Sequence, residues 1–281
     1  MIVDIHTHIF PDALALKVLD RLSHAGGIKP FTDGTLDGLR KSMEEAGVEH
    51  SVTLPVATSS QQVEKINEFA AKVNEGYEVR GIHSFAAIHP DYTNYRKELG
   101  RLKAAGFKGI KVHPAYQETD LDDIRYLRIF ERAAEVGLVV ITHAGLDIGF
   151  PGVVRCSPVM AGNVVSAIGD FPFVLAHMGG WGNWDEVPAK LAGTGIYVDT
   201  SFSIGSKAPL GIPGGRIPLM EESKALDIIK AFGSGRVLFG SDSPWSSQKE
   251  SIEAVKKLSI TEEEKADILG NNACRLLGIA I

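Results

Sequence analysis

Short apolar runs, rich in β-branched residues and ended by polar residues, glycine or proline, recur eight times along the chain, each followed by a stretch with amphipathic helical spacing. The runs predict strands near residues 2–6, 51–54, 81–88, 108–113, 138–143, 173–177, 196–200 and 236–241. The helical stretches between them include 35–46, 61–75, 92–105, 122–136, 158–169, 184–192 and 221–233, and the tail from Ser247 to Leu277 supplies two more helices. Strict alternation of strand and helix requires parallel strands with crossover helices, which leaves a closed barrel or an open doubly wound sheet. Eight units favour an α/β fold of the (β/α)8 TIM-barrel type. Neither GxGxxG nor GxxxxGK[ST] follows any strand, so the nucleotide-binding open sheets lack their usual fingerprint.

With 281 residues, 44% of them hydrophobic, the chain can bury a large core, and no linker or low-complexity segment divides it. One domain spanning 1–281 is the expectation. Two breaker-rich segments are unusually long: Ala144 to Pro158 after the fifth strand, and Ser201 to Pro218 after the seventh. Both fall on the face where barrels keep their active sites, so they are expected to cover substrate.

Lys plus Arg total 29 against 35 for Asp plus Glu, a net charge of -6 without long runs of one sign, which argues against a nucleic-acid partner. The two cysteines, Cys156 and Cys274, are too few for a disulfide framework and too far apart for a CxxC site, which points to a reducing compartment. Met1 to Phe10 has no basic segment leading into a cleavable apolar stretch, and no later run reaches the length of a membrane span. A cytoplasmic protein with a small-molecule partner and no membrane contact is expected. Barrels commonly associate through their outer helices, so a homodimer fits, although no surface stripe marks one.

The chemistry begins in IVDIHTHIF, where a two-residue period sets Asp4, His6 and His8 on one face of the first strand, expected to be the lumen. Two imidazoles one step apart at a strand end can reach one cation, but HxH alone is a weak signal that polar strand ends also produce. The pattern gains weight by recurrence: LVVITHAG ends with His143, FVLAHMGG with His177, and VLFGSDSPW carries Asp242. Each follows a run that should be buried, where an unpaired ionisable group costs several kcal/mol (~2–7 for a polar group, more for a charge), and one shared cation would satisfy them together. The alternatives are histidines with private hydrogen bonds, and an Asp242 that caps a helix beginning near Pro244.

In FKGIKVHP, Lys111 and His113 share a face, so an ammonium group would sit near these residues if that face is the lumen. Lys111 pairs there with Asp4 or Asp242, or binds a substrate carboxylate. His89 and His113 each precede a proline, whose restriction on the backbone can aim an imidazole at the pocket. Trp181, Trp184, Trp245, Phe10 and Phe150 follow strand ends on the same side and would shield the site or hold a planar substrate. Arg155 and Arg216, in the long segments, are candidate carboxylate clamps against the commoner reading of exposed loop arginines.

Taken in order, VDIHTH, THAG, AHMGG, GSDSPW and the closing ILGNNACRLLGI resemble the amidohydrolase superfamily, in its amidohydrolase-related branch, over nearly the whole chain. That branch mixes hydrolases with metal-dependent, non-oxidative decarboxylases similar to aminocarboxymuconate semialdehyde decarboxylase. The resemblance implies that His6, His8 and His143 ligate the metal, that Asp242 binds it or holds its water, and that His177 stands beside that water or the substrate oxygen. It also implies a second metal if Lys111 is carbamylated. Nitrogen and oxygen donors without a thiolate suit zinc first, then manganese, iron or cobalt, and such an ion can lower the pKa of its water to about 7. Asp242 would take the proton from that water and pass it to the leaving group. A hydrolase acting on an amide, lactone or related carbonyl bond is the leading expectation, with a decarboxylase of a small carboxylic acid second. A barrel that only binds a ligand is the reading from another class.

Overall fold

The computed structural model describes residues 1–204 and 219–280. Its strands are β1 (Val3–Thr7), β2 (His50–Thr53), β3 (Ile82–Ser84), β4 (Ala86–Ala87), β5 (Gly109–Val112), β6 (Val139–Thr142), β7 (Leu146–Asp147), β8 (Phe150–Val154), β9 (Phe173–Leu175), β10 (Tyr197–Asp199) and β11 (Val237–Leu238). All pair in parallel except β7 and β8, which form an antiparallel hairpin. The parallel order is β1-β2-β3 and β4-β5-β6-β9-β10-β11.

Backbone hydrogen bonds join the two sheets at both seams. β3 and β4 are one strand interrupted at Phe85, whose N–H still donates to Thr53 O at 3 Å or closer, 2.9 Å. At the other seam Ile5 N–H donates to Phe239 O at 3.0 Å, Asp242 N–H donates to His6 O at 2.8 Å, and Thr7 bridges Ser243. These bonds connect the ends of the strand order in the arrangement of a TIM barrel, which the eight strand–helix units favour over an open sheet.

Two apolar layers hold it. Outward residues such as Ile110, Val112, Val140 and Phe173 pack with Leu99, Ile129 and Phe130 of the surrounding helices. Inward residues such as Val3, Ile5, Val52, Ile141, Val174 and Leu238 form a second cluster, floored by Ala273, Cys274 and Leu277 of the last helix, Asn272–Leu277. Side-chain caps fix where several helices begin: Thr35, Asp123, Ser157, Ser247 and Thr261 each accept a backbone N–H. Among the described residues, no helix is long and apolar enough to cross a membrane.

Three features depart from the sequence pattern. The helix Asp12–Gly26 is absent from the expected set; its Leu14 and Leu16 are exposed, and Leu14, Val18 and Leu22 border a cavity, so its apolar side faces the mouth of the barrel. The segment after the fifth strand position contains the hairpin β7–β8, which brings Leu146, Asp147 and Ile148 over that mouth. The third departure lies in β1. Asp4 pairs with Ser51 and Thr7 with Thr53, so Ile5 and His6 together oppose Val52, a bulge that shifts the alternation by one.

Candidate functional site

The bulge decides which β1 side chains reach the lumen. Ile5 packs inward and His6 also turns in, whereas Asp4 points the other way, into a buried polar cluster. Ser241 Oγ donates to Asp4 at 2.6 Å and Gln248 Nε2 at 2.8 Å. The expectation that Asp4 shares a face with His6 and His8 is thereby corrected, because a two-residue period does not survive an inserted residue. Burial raises the Asp4 carboxyl to about 6 despite those hydrogen bonds.

At the carboxyl ends of the strands, His6, His8 and Asp242 converge. Asp242 Oδ1 lies 3.5 Å from His6 Nε2 and 3.1 Å from His8 Nε2. The opposite nitrogen of each ring is already committed: His6 Nδ1 lies 2.8 Å from Asp199 Oδ2, and His8 Nδ1 lies 2.9 Å from Leu54 O. A carbonyl and a carboxylate only accept, so both Nδ1 atoms carry a proton, which leaves the two Nε2 atoms as the ones that face the Asp242 carboxylate. Two ring nitrogens and a carboxylate oxygen that face one another are a donor set that a divalent cation fits.

Asp242 owes its position to a left-handed backbone, with φ 69°. His177 and Phe202 adopt the same region at φ 59° and 49°, so the backbone is strained where β9, β10 and β11 end. Asp242 is no helix cap, since Ser247 caps the following helix, Gln248–Lys257. Burial pushes its carboxyl up, but the His8 hydrogen bond and the nearby histidines outweigh that and hold it below the ordinary value. Room for His6 comes from Gly240, where an added Cβ would lie 2.8 Å from His6 Cβ.

A second group sits beside the first. His113 Nε2 is 3.3 Å from Asp147 Oδ2, and the His113 and His143 rings stack with centroids 4.2 Å apart. His143 is not gathered with His6, His8 and Asp242; its Nε2 lies 3.0 Å from Leu146 O and its Nδ1 3.0 Å from His177 Nε2. His177 Nδ1 in turn lies 3.0 Å from Ser201 O. With both outer nitrogens facing carbonyls, His143 Nδ1 and His177 Nε2 are the two nitrogens that face each other inside the cavity. Burial first, then neighbouring positive groups, pushes His6 and His143 well below the ordinary imidazole range.

Lys111 reaches the lumen from β5, fully buried, with Nζ 3.2 Å from His6 Nε2. It forms no ion pair with Asp4 or Asp242 among the described contacts, and burial lowers its ammonium to about 8. These residues lie at the base of a cavity of about 720 Å³ whose walls include Phe10, Trp181, Phe202 and Trp245.

Other expected residues lie elsewhere. Arg155 pairs with Asp120 at 2.9 Å and does not border the cavity, so an exposed ion pair occupies the proposed clamp. Trp184 donates to His177 O at 2.9 Å from outside the wall, Phe150 packs edge-on against Tyr116, and His89 accepts the Asp91 N–H at 3.1 Å. Arg216 and most of the Ser201–Pro218 segment fall outside the described residues. Sequence reasoning missed Asp199 and Asp147. Asp199 carried a usable signal, an acidic residue ending the buried run IYVD, whereas Asp147 depends on a hairpin that periodicity does not reveal.

The family model described as Amidohydrolase matches residues 3–279. Comparison with curated proteins returns no match. Among solved structures, an uncharacterized TIM-barrel protein from Bordetella bronchiseptica superposes with a TM-score of 0.76 at 18% identity, covering 99% of this chain and 98% of that one. A dihydroxybenzoic acid decarboxylase from Polaromonas, solved with bound manganese, gives 0.70 at 16%, covering 99% and 97%. A protein described as a 2-pyrone-4,6-dicarboxylic acid hydrolase, from Pseudomonas putida, gives 0.68 at 17%, covering 100% and 98%. Identities this low establish a shared fold.

Proposed function

The chain belongs to the amidohydrolase family, and on that premise we propose that it is a metal-dependent hydrolase acting on an amide, lactone or related carbonyl bond of a small molecule. The observation that carries the metal is the convergence of two Nε2 atoms, from His6 and His8, on one Asp242 oxygen while the Nδ1 of each ring faces an acceptor. When bound there, a divalent cation, zinc first and manganese next, supplies Lewis acidity toward a substrate oxygen or a water.

The chain's own groups do the rest. Asp242, kept ionised by the neighbouring histidines, accepts a proton at the base of the cavity and can return it to a leaving group. His177, within hydrogen-bond reach of His143, stands on the same side. Lys111 places a buried donor beside His6, suited to a negatively charged part of a substrate. Phe10, Trp181, Phe202 and Trp245 keep bulk water from the opening, which strengthens each of these interactions.

Decarboxylation of a small carboxylic acid is the second reading. Lys111 supports it as a buried partner for a carboxylate, and the adjacent His143 and His177 rings support it as groups able to relay a proton to the carbon that loses carbon dioxide. Arg155, one of the two candidate carboxylate clamps, pairs with Asp120 away from the cavity. Assays with zinc or manganese, on panels of lactones and amides and of hydroxylated aromatic acids, would separate the two by base uptake and carbon dioxide release. Hydrolysis lost in Asp242→Asn supports the first reading; carbon dioxide release alone replaces it with the second. No turnover of either kind removes both.

A further inference from the structure

Asp199, at the end of β10, links two residues expected from the sequence, His6 and His177. Its side chain is fully buried. Oδ2 faces His6 Nδ1 at 2.8 Å, while Oδ1 accepts the backbone N–H groups of His177 and Ser201, each at 3.0 Å, and the Ser201 hydroxyl. Ser201 Oγ lies 2.9 Å from His6 Nδ1 and 3.0 Å from His177 Nδ1. One carboxylate thus touches His6 directly and fixes the backbone of His177.

The two oxygens are not equivalent. Oδ1 is held by groups that only donate, two backbone amides, so it must remain an acceptor. Oδ2 is left to His6, whose Nδ1 must then carry the proton. We propose that Asp199 is the positioning residue that sets the tautomer of His6, and so leaves His6 Nε2 available to a divalent cation. The inference rests on the metal reading above for its consequence, although the tautomer itself is a property of the chain alone. Carboxylates behind metal-binding histidines commonly act in this way.

Asp199→Asn makes the test sharp because the substitution keeps the shape. The two amide donors would retain the asparagine carbonyl at the Oδ1 position, which turns its NH2 toward His6 Nδ1. That NH2 only donates, so the imidazole must move its proton to Nε2 and lose its lone pair for a cation. A residue that merely fills space would tolerate the same change.

The experiment compares the parent and Asp199→Asn in two ways. Chelator competition with zinc alone and manganese alone gives the affinity. Long-range proton–nitrogen spectra of histidine-labelled, metal-free protein, assigned with His6→Gln, give the position of the His6 proton. The expected result is a loss of about 10- to 100-fold in cation affinity, with the proton on Nδ1 in the parent and on Nε2 in the variant. Affinity within about threefold of the parent, a proton that stays on Nδ1 in the variant, or a parent His6 already protonated on Nε2 overturns the proposal. Should the parent bind neither ion, the metal reading fails, and the spectra still decide whether Asp199 sets the tautomer.

Discussion

Asp242 Oδ1 stands 3.1 Å from His8 Nε2, although the other nitrogen of that ring already faces the Leu54 carbonyl at 2.9 Å. Without a bound positive ion, this contact needs a doubly protonated His8, so occupancy should stabilise the fold. A ligand at one hundred times its dissociation constant adds about 2.7 kcal/mol. We expect chelation to lower the thermal midpoint, zinc or manganese to restore it, and Asp242→Ala to remove the response. Melting curves with and without added ion check this, and equal midpoints in the parent would contradict it.

Gly240 lies against the same histidine. In Gly240→Ala the new methyl would sit 2.8 Å from His6 Cβ and 3.2 Å from Ser201 Cβ, both on packed strand ends. Overpacking of this kind costs about 1–3 kcal/mol. Denaturant unfolding should show that loss, and ion titration should show weaker binding as His6 is displaced; a variant with parent-like values in both would refute the close approach.

His83 makes a separate acid sensitivity. Its Nε2 is buried without a hydrogen-bond partner among the described residues, and burial, then Lys108, lowers the imidazole to about 4. Above about pH 6.5 the ring is neutral in folded and unfolded chains alike and contributes no pH dependence. Between about 6.5 and 4 the unfolded chain takes up the proton first, so stability falls with falling pH, by up to about 3 kcal/mol before it levels off. His83→Phe should flatten that part of the stability profile, measured by urea midpoints from pH 7.5 to 4.5. An unchanged slope would count against a neutral buried His83.

Gln117 ties three loops together behind His113. Its Nε2 donates to Ala57 O at 2.8 Å and Ile88 O at 2.6 Å, while its Oε1 accepts from His113 N at 3.0 Å and Tyr126 OH at 2.6 Å. Gln117→Met leaves these buried partners unmatched, and a loss of about 3 kcal/mol is expected from the usual cost per orphaned group. Tyr126→Phe, which removes one of them, should lose about 1 kcal/mol. Paired unfolding curves test the ranking.

The parts of the molecule legible in the sequence were those governed by repetition. Eight buried runs gave the barrel, and the strand ends led to His6, His8, His143, His177 and Asp242 because ionisable groups after apolar runs are conspicuous. What was missed depends on single insertions and distant partners. The extra residue in β1 separates Asp4 from His6, and no two-residue period records it. The β7–β8 hairpin sits in a segment whose glycines and prolines mask its pairing, and it brings Asp147 to His113. Arg155 looked suited to a ligand in the sequence, yet the structure gives it Asp120.

The floor of the barrel bears on the order in which the chain can complete itself. Val3 and Ile5 share their apolar cluster with Ala273, Cys274 and Leu277, and β1 bonds to the segment beginning at Phe239. β1 lies early in this sequence, yet two of its supports are supplied by residues beyond 238. Chains cut before Asn272 should therefore leave that strand susceptible to protease, and chains that include residues 272–277 should regain resistance abruptly.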